Sequence, residues 1–172
     1  MLQAVQYAVI GQYLAGLQML GQCIERADPV LWRAPVGKFP FWHVAYHVLF
    51  FVDLYSSRNE SAFRPQAFHV EDAQFLGQQP WPPFKKVVLE RVYEKEQLLA
   101  YLPLIEEKVK RAMESETEQT LAGESGFDWI PLTRLELHLY NIRHLQHHTG
   151  QLGAALRRSD GQGVMWVGSG NL

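Results

Sequence analysis

Two pairs of histidines, His43 with His47 and His144 with His148, lie in distant segments of the chain, and each pair is spaced four residues apart. On an α-helix, side chains at this spacing lie on the same face, about one turn from each other. The two pairs can therefore meet only if their helices pack against each other through these faces. This requirement favours a fold of directly neighbouring helices, with a metal site between them.

The composition is that of a globular protein. Hydrophobic residues make up 47% and charged residues 20% of the 172 residues, so we expect one domain over residues 1–172 with a substantial core. The net charge of −2 and the absence of a long basic run argue against nucleic acid or an anionic membrane as a partner. The single cysteine, Cys23, permits no intrachain disulfide and favours a cytoplasmic location. We expect Cys23 to be buried.

Helical periodicity dominates the first third of the chain. Residues 2–26 predict a helix that Asp28 and Pro29 end. Glutamines recur through its apolar start and no basic segment precedes it, which argues against a signal peptide or a membrane span. A second helix is expected from Phe39 and Pro40 to about Ser57, since proline suits the first turn of a helix. This second helix is apolar nearly all round, so we expect it to be buried on most sides.

The middle of the chain predicts one helix between two irregular segments. Residues 58–83 are polar and rich in proline, and a connection of this length often forms a lid or a binding loop. The third helix is expected over residues 84–113, with a kink or break at Pro103. Residues 114–128 are acidic and polar and predict a loop.

The fourth helix is expected from about Pro131 to Arg158. Thr133 and Glu136 have the spacing of a capping box at its start. No segment of the chain shows a convincing β-hairpin pattern. Four long helices in one domain predict an all-α four-helix bundle.

The expected metal ligands are His47, His144 and His148. His47 lies within the most apolar helix, where an imidazole without a partner is costly to bury. Three neutral imidazoles suit zinc or nickel and leave one coordination position open. His43 lies in the first turn of its helix, where we expect exposure, and His147 points about 100° away from His148. These two residues are the alternative ligands.

Several other polar residues have expected roles near this site. Gln151, Tyr46 and Asp53 are candidates to form hydrogen bonds that orient the ligands. His69 and His138 are expected to be structural, because a single histidine in a helix or loop has many uses besides metal binding.

At the histidines the chain resembles the DinB/YfiT-like superfamily, also called the DinB-like metal-dependent hydrolase group. The resemblance lies in residues 40–51 (PFWHVAYHVLFF) and 143–152 (RHLQHHTGQL) and extends over the whole chain. It implies a four-helix bundle of up-down-down-up type with long connections. Members of that superfamily hold a divalent metal with one histidine of the second helix and two of the last, which implies His47, His144 and His148 here. Characterised members include thiol transferases and a mycothiol-dependent maleylpyruvate isomerase.

Three hypotheses about function follow. The first is a metal-dependent thiol transferase or hydrolase that acts on a small molecule, with a low-molecular-weight thiol as one substrate. The second is a non-catalytic metal-binding or stress-response protein with a structural histidine–metal site. The third is a metal-free network of polar side chains in the core. A homodimer is also expected, because the apolar first helix and the Trp166 segment need a covering surface.

Overall fold

The computed structural model describes residues 1–89 and 91–170, and four long helices of this part form a bundle. These are α1 (Leu2–Arg26), α3 (Phe41–Ser56), α4 (Lys95–Ser115) and α6 (Arg134–Asp160). The shorter elements are α2 (Pro29–Arg33), β1 (Pro35–Val36), β2 (Phe39–Pro40), a 3-10 turn (Glu60–Ala62) and α5 (Glu118–Ala122). The all-α four-helix bundle predicted from the sequence is confirmed.

Helix α1 runs antiparallel to α4. Near the start of α1, Gln6 Nε2 donates to the Met113 carbonyl at the end of α4, at 3.0 Å. At the other end of α1, Lys95 Nζ of α4 donates to the Glu25 carbonyl at 3.1 Å. Low residue numbers of one helix therefore meet high numbers of the other.

Helix α6 runs parallel to α1. The Tyr13 hydroxyl lies 3.2 Å from His138 Nδ1, and the Cys23 thiol lies 3.9 Å from the Thr149 carbonyl further along both helices. Cys23 is fully buried, as expected. The parallel pairing allows the last helix to pack along the whole buried side of the first.

Helix α3 lies diagonally across the bundle from α1, between α4 and α6. It runs parallel to α4, because Asp53 near its end pairs with Lys108 in the second half of α4, whereas Trp42 at its start packs on Tyr93, just before α4. It runs antiparallel to α6, as the histidine contacts below show. The directions of the four helices are therefore up, down, down and up, as expected.

Two segment predictions in the middle of the chain are wrong. The third bundle helix begins at Lys95 rather than at residue 84, because a positive φ at Phe84 and a bridge between Gln78 and Lys86 keep the preceding residues irregular. The helix continues through Pro103, so the expected break is wrong, whereas the kink expected as its alternative stays a prediction. Pro103 lies on the exposed face, where water can reach the carbonyl that loses its hydrogen bond.

Two short elements were also not predicted. The segment expected to be a loop contains α5, which Thr117 and Thr120 cap through reciprocal hydrogen bonds. Strands β1 and β2 form a two-residue hairpin around Gly37, although no hairpin was expected, because strands this short leave no alternating pattern in the sequence. The predicted capping box is confirmed, since Thr133 and Glu136 form it at the start of α6.

The connection from α3 to α4, which the structure describes at residues 57–89 and 91–94, covers one side of α3. Because α3 and α4 are parallel, this connection must return along the length of the bundle. Trp32 Nε1 donates to the Tyr93 carbonyl at 3.0 Å, and the Tyr93 and Tyr46 rings lie 4.1 Å apart. The main-chain carbonyls of residues 73–74 bond to the His43 and His47 rings, and these bonds hold this part of the connection against the first half of α3. Among the described residues, no helix is long and apolar enough to cross a membrane.

Candidate metal centre

The side chains of His47, His144 and His148 converge between α3 and α6. The nearest ligand nitrogens, one from each ring, all lie within 4.8 Å of one another, and each residue is partly buried. His47 Nε2 lies 3.0 Å from His144 Nε2. The three ring centroids are 4.7–4.9 Å apart in pairs, with the rings steeply inclined to one another. We call these three residues the histidine cluster.

The packing of α6 aims its two histidines at α3. Leu145, Thr149 and Leu152 are buried in the bundle, and they flank His144 and His148 on the same side of the helix. Successive turns of α6 therefore direct both imidazoles to the seam with α3. On α3, Phe51 lies one turn beyond His47 and contacts both the His47 ring and the His144 ring, with centroids 4.9 and 5.6 Å apart.

Two hydrogen bonds fix the orientation of the cluster. His47 Nδ1 lies 2.6 Å from the main-chain carbonyl of Gln74, so this nitrogen carries the proton and donates. His148 Nδ1 lies 2.9 Å from Gln151 Oε1 and donates likewise. In both rings Nε2 keeps a free lone pair, the arrangement commonly found in metal-ligating histidines. The Nδ1 atom of His144 is buried and has no hydrogen-bond partner among the described residues.

Burial keeps the imidazoles of the cluster neutral. It is the main cause that lowers the pKa of His47 well below its ordinary value, and the neighbouring His144 lowers it further. Burial, followed by the charges of His148 and His147, lowers the pKa of His144 to about 3. The pKa of His148 is also lowered by burial, although its bond to Gln151 opposes the shift. Neutral imidazoles are the form that binds metal ions.

The separation of the nitrogens suits a divalent ion. Two nitrogens bound at about 2.0–2.1 Å to a tetrahedral zinc ion are about 3.3 Å from each other. His47 Nε2 and His144 Nε2 are 3.0 Å apart. If both neutral rings carry their protons on Nδ1, the lone pairs of the two Nε2 atoms face each other. Such a contact is unfavourable unless a proton or a cation lies between the two nitrogens. The donor set and its spacing therefore fit a metal ion, and these three histidines could hold one.

The remaining histidines lie outside the cluster. His147 is exposed, as expected, and its Nε2 accepts from Gln151 Nε2 at 3.1 Å. His43 was expected to be exposed, but this prediction is wrong, because only 5% of its surface is accessible. Residues 73–75 of the connection cover it, and its Nε2 donates to the Ala73 carbonyl at 2.9 Å. His69 contacts the Tyr46 hydroxyl, and His138 is buried beside Glu116.

Of the residues expected to orient the ligands, only Gln151 contacts the cluster. Its amide bridges His148 and His147. Tyr46 instead contacts His69, and Asp53 is buried in contact with Tyr101 and Lys108. The main-chain carbonyl of Gln74 was missed, because any residue type supplies such a carbonyl and the sequence carries no signal for it.

A cavity of about 710 Å³ adjoins the cluster. His47 and Phe51 form the part of its wall that contacts the other histidines. Trp129, from the segment before α6, also lines it. The cavity was not foreseen in the sequence, because its walls come from three distant segments.

Comparison with known proteins supports the architecture. The crystal structure of the DinB-like protein YjoA from Bacillus subtilis matches with a TM-score of 0.64 over 95% of this chain and 99% of that chain, at 14% sequence identity. No protein-family model and no curated protein matches the chain in sequence. A likeness at this identity concerns the fold alone. The four-helix bundle described above is therefore the DinB-like fold that the sequence led us to expect.

Proposed function

We propose that His47, His144 and His148 bind a divalent metal ion, zinc or nickel, and that the protein is a metal-dependent transferase or hydrolase acting on a small molecule. One observation carries the proposal: nitrogens of three imidazoles converge within 4.8 Å beside a cavity. Imidazole nitrogens are good ligands for both metals.

The ligand count supports a catalytic site rather than a closed one. Among the described residues, the candidate ligand group consists of three histidines and includes no further cysteine, aspartate or glutamate. Catalytic zinc sites commonly have three protein ligands, whereas structural sites have four. A bound ion acts as a Lewis acid and lowers the pKa of a thiol or water that binds it. The Gln74 carbonyl and Gln151 hold His47 and His148 in the tautomer that such binding requires.

A low-molecular-weight thiol is the proposed co-substrate of the transferase. A second, smaller depression of about 230 Å³ lies against His144 and is lined by Tyr140, Arg143 and His147. The Arg143 guanidinium lies 5.4 Å from the centre of the Tyr140 ring. Such a group can pair with the carboxylate that many small biological thiols carry. The proposal includes a cytoplasmic location, which the single buried cysteine supports.

The alternative is a structural metal without turnover. It is favoured by the way in which the cluster joins α3, α6 and, through the Gln74 carbonyl, the long connection. In that role the metal would clamp three segments together. An exchangeable water in the coordination sphere separates the two proposals, since a structural site would have none.

The test is elemental analysis of protein purified without an affinity tag, for the wild type, His148→Ala and His147→Ala. We expect about one metal per chain in the wild type and in His147→Ala, and none in His148→Ala. Metal-loaded protein is then assayed with small thiols and electrophiles and with hydrolysable esters and amides. Metal retained by His148→Ala would contradict the assignment of His148 as a ligand, and a metal-free wild type would contradict the metal site.

A further inference from the structure

The cavity beside the histidine cluster has walls from three parts of the chain. Helix α3 contributes Phe50, Phe51 and Tyr55, and the connection contributes Phe63 and Phe75. Its volume of about 710 Å³ lies within the range of cavities that bind small molecules. A cavity of this size, shared by a helix and a long connection, has room for a ligand with one or two rings.

The walls of the cavity are mainly aromatic. Trp81 and Trp129 are each 51% exposed and line it together with the buried Phe75. The Phe75 and Trp81 rings are 5.1 Å apart and nearly perpendicular. Phe50 is likewise nearly perpendicular to Phe63, with centroids 5.2 Å apart. A planar aromatic ligand can pack against the edges or the faces of these rings. Aromatic pairs in such geometry are more stable than the buried area alone explains.

The side chains that line the cavity provide no counter-charge for an anionic ligand. Among the described residues that line it, none is a lysine or an arginine, and Glu60 is the one charged side chain. Lys108 lies 5.1 Å from the centre of the Phe63 ring, but it is paired with Asp53 and lies outside the lining. Unless a metal ion is bound at the histidine cluster, a carboxylate or phosphate in this cavity would lose its hydration without gaining a counter-charge.

One polar atom of the wall lacks a partner. Gln74 lines the cavity, and its side-chain Oε1 is buried without a hydrogen-bond partner among the described residues. An acceptor of this kind is costly to leave unsatisfied, and a turn of the side-chain amide would present it to the cavity, where it suits a ligand with an O–H or N–H donor. The main-chain carbonyl of the same residue bonds to His47, so a ligand held by Gln74 lies beside the cluster.

We propose that this cavity binds an uncharged, planar aromatic molecule with a hydroxyl or amino donor, held by ring contacts with Trp81, Trp129 and Phe75 and by a hydrogen bond to Gln74. The inference rests on the proposed function in that the histidine cluster is taken as the reactive centre. It assigns the aromatic substrate to the cavity and leaves the depression at Arg143 to the charged co-substrate.

The test measures the binding of four related probes by isothermal titration calorimetry, with wild-type protein treated with a chelator so that no metal ion can bind the charged probe. 1-Naphthol should bind with a dissociation constant of about 100 µM or below, an affinity that a ligand of its size can reach. 1-Methoxynaphthalene, which lacks the donor, should bind about fivefold more weakly. 1-Naphthoate, which carries a charge, and decahydro-1-naphthol, which lacks the aromatic rings, should each bind at least about tenfold more weakly. Equal or tighter binding of 1-naphthoate would overturn the proposal.

Three variants test whether 1-naphthol binds in this cavity. Gln74→Leu keeps the main-chain carbonyl that orients His47 but should remove the difference between 1-naphthol and 1-methoxynaphthalene. Trp129→Ala should weaken 1-naphthol binding about fivefold, whereas Tyr7→Ala, at an exposed aromatic residue outside the cavity, should leave it unchanged. Binding of 1-naphthol that neither Gln74→Leu nor Trp129→Ala alters would place the ligand elsewhere and overturn the assignment.

A further variant separates this inference from the metal proposal. His148 does not line the cavity, so His148→Ala should bind 1-naphthol within about twofold of the wild type, even when it holds no metal. A wild type that is free of metal but binds 1-naphthol would contradict the metal site alone. A metal-loaded wild type that binds none of the four probes would contradict the aromatic site alone.

Discussion

His47 Nε2 lies 3.0 Å from His144 Nε2, although 97 residues separate them in sequence. The contact exists because α3 and α6 are antiparallel neighbours across the bundle. His148 joins it from the next turn of α6. The cluster is built from one turn of α3 and two turns of α6, so it forms only when these helices are packed together. A ligand that binds the cluster therefore also stabilises the fold.

Metal binding should raise the thermal stability of the wild type. At a free zinc concentration about a hundredfold above the dissociation constant, binding contributes about 2.7 kcal/mol. For a chain of this length, that corresponds to a rise of about 5–10 °C in the unfolding midpoint. The measurement is differential scanning fluorimetry of untagged protein with zinc and with a chelator. His144→Ala should lose the shift, while the exposed His147→Ala should keep it. An equal shift in both variants would contradict the assigned ligands.

The sequence predicted the cluster because helical spacing is a local property. His144 and His148 share a face by their spacing alone, and the apolar surroundings of His47 indicated that its ring needs a partner. The burial of His43 could not be predicted, because it depends on residues 73–75, whose path has no periodic pattern. For the same reason, neither the start of α4 at Lys95 nor the aromatic cavity could be predicted from the sequence.

Gln151 should tune the affinity for metal without being a ligand. Its Oε1 accepts from His148 Nδ1 at 2.9 Å and so keeps Nε2 free to bind. Gln151→Leu removes this acceptor, and loss of such a contact typically costs about 10–100-fold in metal affinity. Gln151→Glu keeps an acceptor oxygen at the same position and should retain the affinity within about tenfold. Competition with a chromogenic chelator measures both values. Equal affinities for the wild type and Gln151→Leu would contradict this role.

Gly126 should tolerate no side chain. Its φ is +89°, and a Cβ atom there would lie 2.2 Å from the main-chain oxygen of Arg58. Gly126→Ala therefore combines an unfavourable backbone conformation with a clash that main-chain atoms cannot easily relieve, and it should cost at least about 3 kcal/mol. Gly37→Ala is the matched control, because its φ is +67° and nothing lies within 4 Å of the added atom. It should cost about 1–2 kcal/mol. Urea unfolding of both variants measures the difference, and equal costs would contradict the clash.

We propose that the protein forms a homodimer through the segment after α6. Met165 and Trp166 are 74% and 79% exposed, and the Met165 main chain is held against α1 by two hydrogen bonds with Gln22. A fixed, exposed tryptophan is typical of the centre of an interface. Sedimentation at about 50 µM should give a dimer for the wild type, and Trp166→Ser should weaken association at least about tenfold. A wild type that sediments as a monomer at this concentration would contradict the proposal.

Glu116 should make the fold sensitive to acid. Its carboxylate is buried against the equally buried Arg134 guanidinium at 2.8 Å. Burial alone would raise the pKa of Glu116, but the contacts with His138, Thr120 and Arg134 outweigh it and lower the pKa from 4.5 to about 2. Because the folded state holds the proton less tightly than the unfolded state, the stabilisation is complete above about pH 5 and is lost as the pH falls towards 2.

Glu116→Gln leaves Arg134 buried without its counter-charge, so it should cost about 3–5 kcal/mol at pH 7. Below about pH 5 the unfolded wild type takes up a proton at this carboxyl, and the folded state does so only near pH 2, so the difference in stability between the two proteins should shrink across this range. Urea unfolding of both proteins at pH 7, 4 and 2.5 provides the comparison. Asp160→Asn is a suitable control, because Asp160 also pairs with an arginine but lies at the exposed end of α6. A stability difference between the wild type and Glu116→Gln that stays constant with pH would contradict the lowered pKa of Glu116.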